Sequence, residues 1–194
     1  MAFIPGRRPS DSELVWAWYF ERFTQVAAAQ PNRPHEFLAT LEAQAGTRRV
    51  TLITQNVDGL QQRAGSRGVL KLHGNLTKSR CERLGSLAPL NLGTILPPVR
   101  PVCGGRTRPN VAWFGQSLSE TVLARATAAF SSAEVALVIG TSGVVEPAAS
   151  LGFLALRSGA QVVEINPEPT RLSPHATLFL PLDAPAGLEL ILAN

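Results

Sequence analysis

The apolar run Val50-Thr51-Leu52-Ile53-Thr54 follows Arg48-Arg49 and stops abruptly at Gln55-Asn56-Val57-Asp58-Gly59. Such a run reads as a buried strand whose C-terminal end opens onto polar groups. Further apolar runs of strand length occur at Gly68–Leu72, Ala133–Ile139, Gln161–Ile165 and Thr177–Leu182, with helical stretches among them. This alternation constrains the chain to an α/β fold built on a parallel sheet. Ala133–Ile139 is almost wholly apolar, as a strand covered on both faces requires. In open sheets of this kind ligands collect at the carboxyl ends of the strands, so the residues there are the first candidates for function.

Asn56, Asp58 and His73 stand at the ends of the first two runs. Asn56 and Asp58 offer donors and acceptors for ribose or amide groups, and His73 titrates near neutrality. The same residues also suit structural roles, the first two as helix caps and His73 as a hydrogen-bonded core imidazole. After Ala133–Ile139 the chain turns through Gly140-Thr141-Ser142-Gly143 towards Pro147-Ala148-Ala149, a helix N-terminus able to face a phosphate or a diol. Ser142 distantly resembles a nucleophile elbow. With His73 and Asp58 it makes an imaginable Ser-His-Asp set for a cofactor-independent ester or acyl hydrolase, although Gly143 follows the serine directly, unlike Gly-x-Ser-x-Gly.

Ser10-Asp11-Ser12-Glu13 reads as a capping box opening a helix to about Ala29, with Leu14, Val15, Trp18 and Phe23 as its apolar face. Tyr19 and Arg22, three apart, share one face of it. A second helix, from Pro34 to about Gln44, opens at His35, which reads as a cap or a packing residue, and Asp58 to Ala64 is a short helix stopped by Gly65. Val111–Gln116 reads as a strand, Ser117-Leu118-Ser119-Glu120 as another capping box with a helix to about Phe130, and a last helix starts near Pro185. From Asn75 to Arg108 there is little periodicity over a stretch long for a plain loop.

With 194 residues and 45% hydrophobic content, the chain has enough apolar material for one core and one domain. No apolar run approaches the roughly 18 residues of a membrane span, and the first residues lack a signal-peptide segment. Two cysteines are too few for a disulfide framework, which points to the cytoplasm. A net charge of +4 with scattered arginines does not suggest a nucleic-acid surface.

Four blocks in order carry a family resemblance. They are Thr54-Gln55-Asn56-Val57-Asp58-Gly59-Leu60 with Leu72-His73-Gly74, Arg108-Pro109-Asn110-Val111-Ala112-Trp113-Phe114-Gly115, Gly140-Thr141-Ser142-Gly143-Val144-Val145-Glu146-Pro147, and Glu164-Ile165-Asn166-Pro167-Glu168. The chain resembles the sirtuins, NAD-dependent protein-lysine deacylases with a Rossmann-like parallel sheet and a small zinc-ribbon module. The resemblance implies that His73 is the general base and that Gln55, Asn56, Asp58, Gly140, Thr141, Ser142, Asn166 and Glu168 meet NAD. It implies that Val111, Trp113, Phe114, Gly115 and Val144 receive an acyl-lysine peptide or protein by strand addition. Tyr19 and Arg22 resemble the Tyr-x-x-Arg pair of class III sirtuins, which binds the distal carboxylate of succinyl- or malonyl-lysine.

The chain also departs from the family. The resemblance places a zinc-ribbon-like module at 75–110, but only Cys81 and Cys103 remain of its four thiolates. Leu84 and Arg100 occupy the other two places. Two thiolates do not close a tetrahedral site, so no zinc is expected, and the module is expected to be loose or held by packing alone. A sirtuin opens with a strand, a Gly-Ala-Gly turn and a helix that hold the pyrophosphate, and nothing like this unit precedes Ser10. In the order 3-2-1-4-5-6 the missing strand is central. The expectation is therefore that Val50–Thr54 and Ala133–Ile139 close up, that a partner or second copy covers the exposed sheet, or that the chain is marginally stable. The expected function is a truncated deacylase of desuccinylase or demalonylase type with reduced activity, the alternatives being a non-catalytic binding remnant and the Ser142 hydrolase.

Overall fold

The computed structural model describes residues 12–90, 93–94, 97–98 and 103–192. In chain order the elements are α1 (Ser12–Ala28), α2 (Arg33–Ala43), β1 (Ile53–Thr54), α3 (Leu60–Arg63), β2 (Leu70–Lys71), β3 (Gly74–Cys81) and β4 (Leu87–Pro89). They continue with β5 (Thr107–Val111), α4 (Glu120–Ser131), β6 (Val135–Ile139), α5 (Ser150–Arg157), β7 (Gln161–Ile165), β8 (Leu178–Leu180) and α6 (Ala184–Leu192). Two compact units result. The first comprises Met1–Gln30, Asn56–Gly59 and His73–Gln116, the second Pro31–Gln55, Leu60–Leu72 and Ser117–Asn194.

In the first unit α1 packs on an antiparallel sheet ordered β4-β3-β5. Part of the stretch from Asn75 to Arg108, expected to be loose or held by packing alone, carries a backbone ladder. Arg80 pairs with Leu87 on one side and Arg108 on the other. β5 is an outer strand, which is why Pro109, lacking an N–H, is tolerated within it. The expected strand at Val111–Gln116 lies instead at Thr107–Val111. Past Val111 the chain turns, with the Gln116 N–H donating to the Trp113 carbonyl at 3.0 Å.

α1 buries Trp16 and Phe23, with Tyr19 and Phe20 between them, a stripe at i, i+3, i+4 and i+7. Leu14, expected on that face, is 55% exposed, and Trp18 is only half-buried. A buried indole needs an acceptor for its N–H, and Trp16 Nε1 finds the Thr107 carbonyl at 2.9 Å. This bond selects the face of α1 that turns inward. Leu76, Leu90 and Val111 complete the core. Ser10 and Asp11 of the expected capping box lie outside the described residues.

The second unit holds two parallel sheets. β1 pairs with β2, and β6-β7-β8 form the other, with Val135–Ile139 in continuous register with Gln161–Ile165. β1 and β6 do not pair with each other, so the two runs have not closed up. Side chains link the flanks of these strands instead: Arg49 donates to Ser132 Oγ at 2.9 Å before them, and Gln55 Nε2 to Thr141 Oγ1 at 3.1 Å after them. Leu70, Leu72, Ala126, Ala148 and Leu151 form one core cluster; Ala136, Ala155, Ala160, Val162 and Leu172 form another.

α2 opens with a capping box from Asn32 and His35, bearing out the capping role of His35. The expected box at Ser117 is not formed: α4 starts at Glu120 with Ser119 in the cap position and no side-chain bond. No helix among the described residues is long and apolar enough to cross a membrane.

Trp16→Ala should lower stability by about 3–5 kcal/mol, combining the loss of a large buried ring with an unpaired Thr107 carbonyl. Urea unfolding followed by circular dichroism measures it. A loss under about 1 kcal/mol would show that α1 is not anchored through this residue.

Candidate active site

In the first unit three backbone contacts bring the candidate residues together. The Leu76 N–H donates to the Val57 carbonyl at 2.8 Å, tying Asn56–Gly59 to β3. The Ala112 N–H donates to the His73 carbonyl at 2.9 Å, and Gly74 pairs with Val111. Gly74 has φ +88°, and a Cβ there would stand 2.2 Å from the Asn110 carbonyl oxygen, so only glycine fits. His73 is thereby placed beside the segment Val111–Gly115. Burial pushes its imidazole below the usual histidine range, which keeps the ring in the neutral form that a base requires.

Tyr19 lies on the same unit. Burial raises its phenol, opposed by the Trp113 indole and by the charges of Arg108 and Arg22. The Arg22 guanidinium stacks 3.1 Å from the Trp18 ring centroid and donates to the Trp18 carbonyl at 3.1 Å. Trp18 in turn meets Tyr19 edge-on at 4.7 Å. Trp113 is braced from the other side. Gln116 Oε1 accepts from the Trp113 N–H and from Arg108, each at 3.1 Å, and the Arg108 guanidinium lies 4.8 Å from the Trp113 ring. Phe114 is 57% exposed.

The second unit gathers a polar cluster at the carboxyl ends of β1, β6 and β7. Thr141 accepts from Gln55 Nε2 through its hydroxyl and from Asn166 Nδ2, at 2.6 Å, through its carbonyl. The Gly143 N–H also reaches Thr141 Oγ1, at 3.3 Å. Gly140 donates to the Ile165 carbonyl at 2.9 Å, holding the turn to the strand edge. Ser142, Val144 and Glu168 are exposed. Ser142 belongs to this unit, whereas His73 and Asp58 belong to the first.

One expectation at this edge is corrected. The helix after the turn begins at Ser150, not at Pro147, and the Glu146 carboxylate accepts from both the Ser150 N–H and its hydroxyl, at 3.2 and 2.8 Å. A carboxylate already meets the donors that a phosphate or diol would have used.

Sequence reasoning missed Arg108 and the bracing role of Gln116, since nothing in their spacing shows that they meet. It also missed Glu164, fully buried in β7, whose carboxylate accepts from Thr170 Oγ1 at 2.5 Å and Ser173 Oγ at 2.6 Å. Its signal was legible: a lone carboxylate inside Val162-Val163-Glu164-Ile165 must find partners. This network fixes the loop beyond Asn166.

The chain is similar to proteins of known family. The Sir2 family pattern matches residues 7–147. An NAD-dependent protein deacylase of Thermus thermophilus is 50% identical over 190 residues, which cover 97% of this chain and 75% of the relative. A solved Sir2 homolog–NAD complex superposes with TM-score 0.86 at 41% identity, over 94% of this chain and 71% of that one. Sir2Tm bound to a propionylated peptide superposes with TM-score 0.85 at 33% identity, over 95% and 79%. With the pattern matched across most of its length and half of its residues shared with such a relative, the chain belongs to the Sir2 family.

Proposed function

We propose that the protein is an NAD-dependent protein-lysine deacylase of desuccinylase or demalonylase type. The observation that carries this reading is the grouping, in one unit, of a half-buried neutral His73 with Tyr19, Arg22 and the segment Val111–Gly115. The names of its relatives support it: one is an NAD-dependent protein deacylase, one binds NAD, and one binds a propionylated peptide.

The residues present suit the adenosine side of NAD, since Gln55, Thr141 and Asn166 offer amide and hydroxyl groups to a ribose or an adenine edge. Gly140, Ser142 and Glu168 would join them, with Asn56 and Asp58 towards the nicotinamide ribose. When bound, NAD would supply an electrophilic ribose carbon and ribose hydroxyls. His73 would be the general base that takes up a proton there. Trp113, Phe114 and Gly115, with Val144, would line the acyl-lysine peptide, and Tyr19 and Arg22 would meet a carboxylate at the far end of the acyl group. A planar guanidinium held against Trp18 is oriented before substrate arrives.

His73→Ala should reduce turnover on a succinyl-lysine peptide by roughly 10²–10⁴-fold, the usual contribution of a positioned general base. Assays with and without NAD check both requirements at once. Unchanged turnover in the variant removes His73 from the chemistry, and turnover independent of NAD removes the deacylase reading.

The pH profile follows from the direction of the His73 shift. Burial favours the neutral ring, so the base form persists to lower pH than in an ordinary histidine. The kcat/KM should be flat near neutrality and fall on the acid side, with its midpoint below 6.5. An acid limb centred above that value would assign the titration to another group.

Succinyl-lysine should be preferred to acetyl-lysine by roughly ten- to a hundredfold, because acetyl leaves the guanidinium without its charged partner. Arg22→Met keeps the length of the side chain and removes the charge, and should narrow or reverse this preference. Equal wild-type rates on the two peptides would return Arg22 to the role of a helix-surface residue stacked on Trp18.

A further inference from the structure

The sirtuin resemblance implies zinc in the small antiparallel module, and the donor set does not fit it. Cys81 and Cys103 converge, but among the described residues no group of three or more His, Cys, Asp or Glu is placed to hold a metal ion. A structural zinc needs four ligands, commonly thiolates, in closed tetrahedral array. The two thiols nonetheless keep a built geometry. Their sulfurs lie 3.5 Å apart. The Leu84 N–H points to Cys81 Sγ and the Gly105 N–H to Cys103 Sγ, each at 3.4 Å. Gly105 sits directly against the pair, since a Cβ there would meet both sulfurs at 3.1 Å.

We propose that Cys81 and Cys103 form a reversible dithiol–disulfide site that exchanges with low-molecular-weight disulfides. The two sulfurs need approach by only a fraction of their present separation to reach bonding distance, about 2 Å. Their exposure assigns an order to the steps. Cys81 is fully buried, whereas Cys103 is partly accessible. The Arg83 guanidinium lies at the Cys103 backbone, 3.5 Å from its carbonyl.

Cys103 thiolate, having lost its proton to solvent, attacks one sulfur of the small disulfide. A mixed disulfide forms and one small thiol leaves. Cys81 then loses its proton and attacks Cys103 Sγ, expelling the second small thiol. The protein dithiol is oxidised to one disulfide, and the small disulfide is reduced to two thiols. The bond joins the end of β3 to the turn that leads into β5, closing a chain loop and thereby restraining the unfolded state. Oxidation therefore stabilises the folded module that also carries His73 and Val111–Gly115.

The test uses the full chain, reduced with dithiothreitol, desalted, and exposed to oxidised glutathione without denaturant. Alkylation and mass spectrometry of intact protein and peptides then read the products. The expected result is loss of two hydrogens, a peptide link between Cys81 and Cys103, and full reversal by dithiothreitol. The linked form should also melt several degrees higher. Cys81→Ser should trap glutathione on Cys103, and Cys103→Ser should leave Cys81 unmodified in the folded protein, with circular dichroism confirming each fold. Gly105→Ala, which crowds both sulfurs, should slow closure while the thiols remain reactive in urea. The proposal is overturned if the native chain stops at a glutathione adduct, if the link forms only after unfolding, or if elemental analysis finds stoichiometric zinc shielding both thiols. None of these readouts depends on deacylation.

Discussion

The close passage of two backbones at Gly74 and Asn110 is the constraint on which the first unit depends. A side chain at Gly74 would overlap a carbonyl oxygen, so β3 can begin there only as glycine. With that contact made, His73 is bonded to Ala112 and β3 runs alongside β5. β5 then offers the Thr107 carbonyl to Trp16, which orients α1 and with it Tyr19 and Arg22. A steric requirement at one residue is passed by successive hydrogen bonds to a helix far away in sequence.

The second unit is organised by polar bonds at strand ends. Thr141 is its hub, because its hydroxyl and carbonyl together hold Gln55, Gly143 and Asn166. Such a network is costly if half satisfied and rigid if complete. In β7 the buried Glu164 accepts from two hydroxyls. The hydrogen bonds that tie this edge together run between neutral amides and hydroxyls, with the carboxylates of Glu146 and Glu168 beside them.

Much of this was legible in the sequence. The apolar runs ending at Ile139 and Ile165 are strands in the structure, because β-branched and aliphatic runs of that length bury well in a parallel sheet, whereas only Ile53–Thr54 of the run ending at Thr54 is paired. The helix boundaries marked by His35 and Pro185 fall close to where they were read. Other local signals misled. Val111–Gln116 is apolar and aromatic, yet pairing stops at Val111 because β3 begins at its partner, Gly74. Ser117 carries the right spacing for a capping box, but the helix starts two residues later than that spacing implies, and a side-chain bond cannot form to amides that are not yet helical.

What the sequence determined by itself was the order of elements outside 75–110, the family blocks and the identity of the chemical groups at each strand end. These are local properties, set by periodicity and residue type. Only the tertiary structure decided which groups meet. It turned Trp16 inward instead of Leu14, and set Gln116 beneath Trp113. It closed the start of α5 with Glu146, and brought the sulfurs of Cys81 and Cys103 together across an intervening loop. Each of these contacts joins residues through a hydrogen bond, a steric limit or a buried surface that exists only once the backbone is placed. No pattern of neighbours along the chain encodes that distance.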